Sequence, residues 1–318
     1  MSTPTDQPAP AVAYPYQTEP SPEGANMPPS GDDPAQVAPF NPDNPPWGLL
    51  VAVGVVLGSF VLIVFAQLVG LIPYFAWRAA NALPLMEGGQ PDKNVILISI
   101  LAMLPAHILT LALAWLVVTS RGKRPFWNTL GWGWSRRYGV VADLAACVGI
   151  TLGLYAVGIA LFYIFGNEET DLVRMLNSSP AARYGIVAMA VLTAPVVEEV
   201  VYRGIFYPAL QRRIGTLWGV VGVMFVFALI HVPQYYPSFG AISAIGVLSL
   251  TLTLVRAYTG RLLPCVIIHT IFNSLSSVAI LLEPHLKNVP SLTDQTTSAF
   301  LPLLLSTSPV AQLIPHLF

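Results

Sequence analysis

The chain has 318 residues, of which 54% are hydrophobic and only 10% are charged, and its mean hydropathy is +0.64. Soluble domains carry about 25% charged residues, so the composition excludes an ordinary soluble enzyme and a nucleic-acid-binding protein that relies on a basic surface. The net charge of −1 hides an uneven distribution, because six of the 16 acidic residues but none of the 15 basic residues lie in the first 46 positions.

Residues 1–46 differ in composition from the rest of the chain. They contain 13 of the 29 prolines and few aliphatic side chains. Such a segment buries too little apolar surface to offset the entropy lost on ordering it. We therefore predict a disordered, acidic, Pro-rich tail over residues 1–46.

From Trp47 onward the chain is apolar, and seven stretches are candidates to cross a membrane. A hydrocarbon core of about 30 Å requires about 20 apolar residues in a helix, a length that the fifth and sixth stretches reach only by extending into their loops. The predicted spans are Leu49–Trp77, Val95–Val118, Val140–Ile164, Tyr184–Phe206, Leu217–His231, Ala241–Val255 and Leu262–Leu282. Because backbone groups inside a bilayer must bond within their own segment, we expect an all-α, polytopic transmembrane bundle of seven to eight spans.

The spans suggest a division of the chain behind the tail. Residues 47–182 hold three N-terminal helices, and residues 183–283 form a module of four helices. Residues 284–318 are apolar but rich in proline, so we expect them to form either an eighth, broken span or an interfacial helix.

The loops predict the orientation. If successive spans alternate in direction, one side of the membrane receives nine basic and no acidic loop residues, which are Arg121, Lys123, Arg124, Arg136, Arg137, Arg212, Arg213, Arg256 and Arg261. Cytoplasmic loops of membrane proteins are enriched in Lys and Arg. We therefore expect a multi-pass protein of a bacterial-type plasma membrane, with a cytoplasmic N-terminus, contact with membrane lipid and no nucleic-acid partner.

Polar groups inside the spans indicate a functional site, since an ionisable group costs about 2.5–3.5 kcal/mol to insert at the membrane centre. Within residues 184–282 the candidates form three clusters, EEVVYR from Glu198 to Arg203, FALIH from Phe227 to His231 and HTIFN from His269 to Asn273. His107 stands alone in the second span, and we interpret it as an interhelical histidine with a satisfied hydrogen bond.

Helical spacing separates the roles of these groups. Glu199 and Arg203 are four residues apart, so they share a helix face and are predicted to form a structural ion pair. Glu198 lies about 100° away round the helix and suits a general base that later returns its proton. His269 and Asn273 also share a face, and they present two hydrogen-bond donors of the kind that an oxyanion requires.

The depths of these groups do not all agree. At 1.5 Å per residue, Glu198 and His231 lie ~25 Å from a cytoplasmic turn near Gly215, whereas His269 lies ~12 Å from the same side. Straight helices of equal tilt therefore do not bring His269 level with the other two groups, unless Pro208 ends the fourth span early.

In order and kind, the three clusters resemble the EExxxR, FxxxH and HxxxN motifs of the CPBP (Abi) family of intramembrane proteases, which includes the type II CAAX prenyl endopeptidases. Every fixed position of these motifs is filled, over about a third of the chain. The resemblance implies that Glu198 and His231 activate a water molecule, while His269 and Asn273 stabilise the oxyanion. It predicts an endopeptidase for membrane-associated peptides or proteins, which would enter between the helices.

The sequence leaves the metal dependence of this reaction open. The family is usually described as metal-dependent, whereas a glutamate mechanism without metal has been argued for the prenyl endopeptidases. No HExxH motif is present in the sequence, so the usual zincin signature is missing. Glu198, His231 and His269 would nevertheless supply three ligands for a divalent metal such as zinc.

Two other functions compete with proteolysis. The first is a non-catalytic membrane scaffold or bacteriocin-immunity protein that keeps the motifs for stability. The second is a proton-coupled transporter that uses Glu198 and the histidines as a relay. Transporter folds usually contain internal repeats, and the sequence shows no convincing one.

Overall fold

The structure, a computed structural model, describes residues 41–84, 86–87, 90–134, 139–166 and 168–286. These residues are helical, apart from their loops and one antiparallel pair of two-residue strands, β1 (Met86–Glu87) and β2 (Gln90–Pro91). The α-helices are α1 (Leu49–Ala80), α2 (Lys93–Val118), α3 (Phe126–Thr129), α4 (Val140–Phe165), α5 (Asp171–Ser178), α6 (Pro180–Leu192), α7 (Ala194–Glu198), α8 (Tyr207–Ile214), α9 (Thr216–Tyr235), α10 (Phe239–Thr259) and α11 (Leu263–Leu286). A π-helical segment, Glu199–Phe206, joins α7 to α8.

The predicted polytopic helical bundle is confirmed. Helices α1, α2, α4, α9, α10 and α11 are each long and apolar enough to cross a membrane, and a bent pair running from Pro180 to Ile214 brings the total to as many as seven. The fifth and sixth spans, which looked short in the sequence, extend to 20 and 21 residues. The predicted eighth span falls from residue 287 onward, outside the described residues.

The fourth span differs most from its prediction. Instead of one helix over Tyr184–Phe206, α6 begins at Pro180 and breaks at Thr193, where the chain bends by 42°. Pro195 favours the break, because proline has no N–H to donate to the carbonyl four residues earlier. Pro208 does not end the span, since α8 continues past it to Ile214.

The core surrounds the π-helical segment. Every residue from Glu199 to Phe206 is buried, and the apolar ones pack with buried side chains of α1, α2 and α9. The outward faces of the helices carry many large apolar side chains, such as Leu50 and Val141, which are 88% and 84% exposed. This distribution fits a protein whose charged cluster lies inside and whose surface contacts lipid.

Residues 41–47, here called the N-terminal strap, lie against one end of the bundle. The Asp43 carboxylate binds the buried Arg256 guanidinium at 2.6 Å, and the Trp47 indole N–H donates to the Ile205 carbonyl at 3.0 Å. Arg212 donates to the carbonyls of Pro45 and Trp47. Residues 41–46 were expected to belong to the tail, so the folded part of the chain begins earlier than that boundary, whereas residues 1–40 lie outside the described residues.

Candidate active site

One cavity of about 400 Å³ collects the four candidate catalytic residues. Glu198, His231, His269 and Asn273 all contribute to its wall, although they come from three different spans. The His269 Nε2 lies 3.8 Å from Glu198 Oε2, so these two groups meet although their depths counted along straight helices differ. The remaining wall is mainly apolar and includes side chains of α1, α2 and α5.

The predicted ion pair is present and completely buried. The Arg203 Nη1 donates to Glu199 Oε1 at 2.9 Å, and neither side chain is exposed. Arg203 also donates to the Thr253 hydroxyl and to the Ser249 carbonyl and hydroxyl, all on α10. Its guanidinium lies 4.6 Å from the centroid of the Phe227 ring. A buried charge needs this set of partners to offset its desolvation.

His269 lies between the two adjacent glutamates. Its Nδ1 is 2.8 Å from Glu199 Oε1, and its Nε2 is 3.8 Å from Glu198 Oε2. Because an ionised carboxylate can only accept, Nδ1 carries the proton of the first contact. The arrangement fixes the tautomer of His269 and turns Nε2 toward Glu198. Glu199 therefore orients a candidate catalytic side chain, in addition to pairing with Arg203 as the spacing predicted.

His231 is fixed by its own helix. Its Nδ1 lies 2.7 Å from the Phe227 carbonyl oxygen, which accepts the hydrogen bond. Nε2 of the neutral ring is then an acceptor. The His231 ring also packs on the Phe227 ring at a centroid distance of 4.6 Å. The buried Phe227 ring thus contacts both the His231 ring and the Arg203 guanidinium.

Asn273 uses part of its hydrogen-bonding capacity within the protein. Its Nδ2 donates to the Ala190 carbonyl on α6 at 2.8 Å. An amide nitrogen carries two hydrogens, so one N–H remains for a ligand in the cavity. The predicted donor is at the cavity wall, but it also ties α11 to the helix that precedes Glu198.

Glu198, His231 and His269, which the sequence offered as ligands for a divalent metal, do not come together as a three-ligand cluster. Among the described residues, no group of three or more His, Cys, Asp or Glu side chains is placed to hold a metal ion. The Nδ1 atoms of His231 and His269 both bond to protein acceptors, which leaves Nε2 of each ring as the nitrogen for a further partner. Glu198 Oε2 lies 3.8 Å from the Nε2 of His269.

A third histidine reaches the same cavity. His107 on α2 lines it together with Glu198, and its Nδ1 lies 2.8 Å from the Thr193 hydroxyl. The predicted interhelical hydrogen bond is confirmed, and its partner is the residue at the helix break. The only available signal for this break was Pro195, two positions after Thr193.

A comparison with known protein families matches the part of the chain that contains the four candidate catalytic residues. Residues 180–275 match the family of Rce1-like type II CAAX prenyl endopeptidases. The resemblance drawn from the three motifs is thereby confirmed over this Rce1-like segment, which contains every motif position and less than a third of the chain. No curated protein and no solved structure matches the chain significantly. At the level of the family, the Rce1-like match supports a CAAX-type intramembrane protease in a multi-pass membrane protein.

Proposed function

We propose that this protein is an intramembrane endopeptidase that hydrolyses peptide bonds of membrane-associated peptides or proteins with a water molecule activated by Glu198 and His231. The observation that carries the proposal is the meeting of Glu198, His231, His269 and Asn273 in one cavity. A carboxylate, two imidazoles and a carboxamide supply the proton acceptor and the hydrogen-bond donors that amide hydrolysis requires.

Glu198 acts as the general base. Its side chain is 24% exposed, whereas its neighbour Glu199 is fully buried and paired with Arg203. Glu198 is thus the carboxylate of the two that has access to a water molecule in the cavity. It removes a proton from the attacking water and returns it to the amine that leaves.

His231 positions the same water. With Nδ1–H committed to the Phe227 carbonyl, Nε2 accepts a hydrogen bond from the water and leaves its oxygen lone pair for the attack. Two acceptors, Glu198 and His231, then fix the nucleophile in one orientation, which lowers the entropy cost of reaching the transition state.

His269 and Asn273 stabilise the negative charge that develops on the carbonyl oxygen. Because Nδ1–H of His269 donates to Glu199, Nε2 donates to the oxyanion only when the ring is an imidazolium. The carboxylates on either side of the ring compensate that positive charge. The second N–H of the Asn273 amide completes the pair of donors.

The substrate reaches these groups between the helices. Its scissile segment is extended, because a helical peptide keeps its carbonyls in internal hydrogen bonds. Apolar side chains that include Met103, Met175 and Met189 line the rest of the cavity, and flexible methionines adapt to varied apolar ligands. The enzyme lies in a bacterial-type plasma membrane, with its N-terminus in the cytoplasm.

Glu198→Gln tests the proposal. The amide cannot accept the proton of the water, so cleavage of a library of membrane-inserted, fluorescence-quenched peptides should fall about 10²–10⁴-fold. The thermal unfolding of the purified variant in detergent should stay close to that of the wild type, since Glu198 is not part of the buried ion pair.

Glu168→Gln provides the matched control. It makes the same chemical change at an exposed position in the loop between α4 and α5, so cleavage should be unchanged. Wild-type cleavage by Glu198→Gln would reject the catalytic role and would favour a scaffold that keeps the motif for stability.

A further inference from the structure

Glu198 lies five residues after Thr193, where α6 ends and α7 begins. Helix α7 continues through the π-helical segment into α8, so Glu198 lies in the first turns of one helix, Ala194–Ile214, that meets α6 at a bend of 42°. A broken helix in a membrane leaves backbone groups that must find partners elsewhere in the protein. The side chains that bond at the break therefore bear on the placement of α7, which carries Glu198.

Two other helices hold the break from different sides. On one side, the His107 Nδ1 of α2 bonds to the Thr193 hydroxyl at 2.8 Å. On the other, Asn273 of α11 donates to the Ala190 carbonyl, also at 2.8 Å. The Thr193 hydroxyl lies 3.3 Å from the Met189 carbonyl as well, so the side chain connects α2 with the last turn of α6.

His107 is well placed to act through this contact. The residue is only 7% exposed, and its ring reaches the cavity that Glu198 lines. It belongs to α2, which lies outside the Rce1-like segment 180–275. The contact therefore joins an N-terminal helix to the helix break of the proposed catalytic module.

We propose that His107 and Thr193 are positioning residues for Glu198. Their hydrogen bond holds the break in one geometry and maintains the 42° bend between α6 and the helix that begins with α7. This geometry directs the Glu198 carboxylate toward the water. The inference rests on the proposed function, because it assigns a purpose to the pair in the same reaction. Whether the hydrogen bond holds the helix break can be tested without knowing what the site cleaves.

Isosteric variants separate this role from simple packing. Thr193→Val keeps the shape of the side chain and removes the hydroxyl, whereas Thr193→Ser keeps the hydroxyl. His107→Phe removes the ring nitrogens and keeps an aromatic ring. Thr259→Val is the control, since the Thr259 hydroxyl bonds to the Val255 carbonyl of its own helix, away from the cavity.

The kinetic readout is the split between kcat and KM on the peptide that the wild type cleaves best. Thr193→Val and His107→Phe should each lower kcat by up to about 10²-fold, the effect expected when a catalytic group is misplaced by about 1 Å, with little change in KM. Thr193→Ser and Thr259→Val should retain wild-type kcat. The double variant Thr193→Val/His107→Phe should lose no more than either single variant, because both remove one interaction.

Backbone amide hydrogen exchange measures the local stability of the helix break and requires no cleavage assay. Backbone amides of residues 190–198 should exchange faster in Thr193→Val than in the wild type, while those of α9 should be unchanged. Wild-type exchange over 190–198, an additive double variant or failure of Thr193→Ser to restore kcat would each overturn the positioning role. If Glu198→Gln cleaves as well as the wild type, the proposed function fails. The exchange experiment still decides whether the hydrogen bond between His107 and Thr193 holds the break.

Discussion

Glu199 shows how a single carboxylate serves two neighbours. Its Oε1 accepts from Arg203 on the same helix and from His269 on α11. The first contact follows from a spacing of four residues, which places two side chains on one helix face. The second joins residues 70 positions apart, so it depends on how α11 packs and no local pattern contains it.

Glu199→Gln should destabilise the protein strongly. The substitution leaves the Arg203 guanidinium fully buried without its charge partner, and breaking a buried ion pair in this way costs about 3–5 kcal/mol. The free energy of unfolding in detergent, measured by chemical denaturation, gives the magnitude.

The exposed pair of Asp171 and Arg174 is the reference for that measurement. Both side chains are more than half exposed, and exposed ion pairs contribute about 0–1 kcal/mol. Asp171→Asn should therefore leave the free energy of unfolding nearly unchanged. Equal stability of Glu199→Gln and Asp171→Asn would contradict the importance given to the buried pair.

The residue types of the candidate site were predictable, but their connections were not. Charged and polar residues are expensive within apolar spans, so Glu198, His231 and His269 stood out in the sequence. The hydrogen bonds of Asn273 to Ala190 and of His107 to Thr193 did not, because backbone carbonyls and hydroxyls carry no such mark. These contacts became visible only once the helices were packed.

At the level of elements, the fourth span shows where a hydropathy pattern stops being informative. Pro73, Pro105 and Pro233 all lie inside helices that remain continuous, whereas the chain breaks two residues before Pro195. Proline is tolerated in membrane helices when neighbouring groups satisfy the freed carbonyls. Proline alone therefore does not decide where a helix breaks; at this break His107 and Asn273 bond to Thr193 and to the Ala190 carbonyl.

Helices α4 and α10 approach closely at Gly240, near the start of α10. A Cβ atom at this position would lie 2.5 Å from the Gly166 carbonyl oxygen and 3.2 Å from the Phe162 Cα. Both are backbone atoms, so they cannot move aside as a flexible side chain would. Gly240→Ala should therefore separate the helices and lower the free energy of unfolding by about 1–3 kcal/mol, the usual cost of overpacking.

Gly246→Ala on the same helix provides the comparison. A Cβ atom there meets no atom within 4 Å, and alanine is favoured over glycine in a helix by about 0.5–1 kcal/mol. Unfolding in detergent should thus show opposite signs for the two variants. Equal effects would mean that the α4–α10 contact is looser than described.

At the level of the whole molecule, the cavity is assembled from more than the matched segment. The Rce1-like residues 180–275 supply the four candidate catalytic groups, whereas Gln67 of α1, Met103 and His107 of α2 and Leu172 of α5 complete the wall. The N-terminal helices therefore contribute to the site and are more than a membrane anchor for it.

The junction of α1 and α2 gives the molecule an acid-sensitive point. Asp92, the N-cap of α2, accepts a hydrogen bond from the Tyr74 hydroxyl and pairs with Arg78. The bond from Tyr74, with that from the Asn94 backbone and the charge of Arg78, lowers the pKa of Asp92, although desolvation opposes the shift.

A lowered pKa in the folded state makes stability fall with acidification. The contribution of Asp92 is fully present above its unfolded value of about 3.9 and is lost as the pH falls through the lower, folded value. The wild type should therefore show a decrease in its thermal midpoint below about pH 4 that is smaller in Asp92→Asn. Parallel pH profiles for the two proteins would exclude this source of acid sensitivity.

The N-terminal strap has a practical consequence for protein engineering. Asp43 is the carboxylate partner of Arg256, a residue 213 positions away with a fully buried side chain. A fusion partner joined upstream of residue 41 leaves the contacts of the N-terminal strap intact. A partner joined directly to α1 removes Asp43 and Trp47 together. The buried Arg256 guanidinium then loses its carboxylate partner, and the contact between the N-terminal strap and α10 is lost.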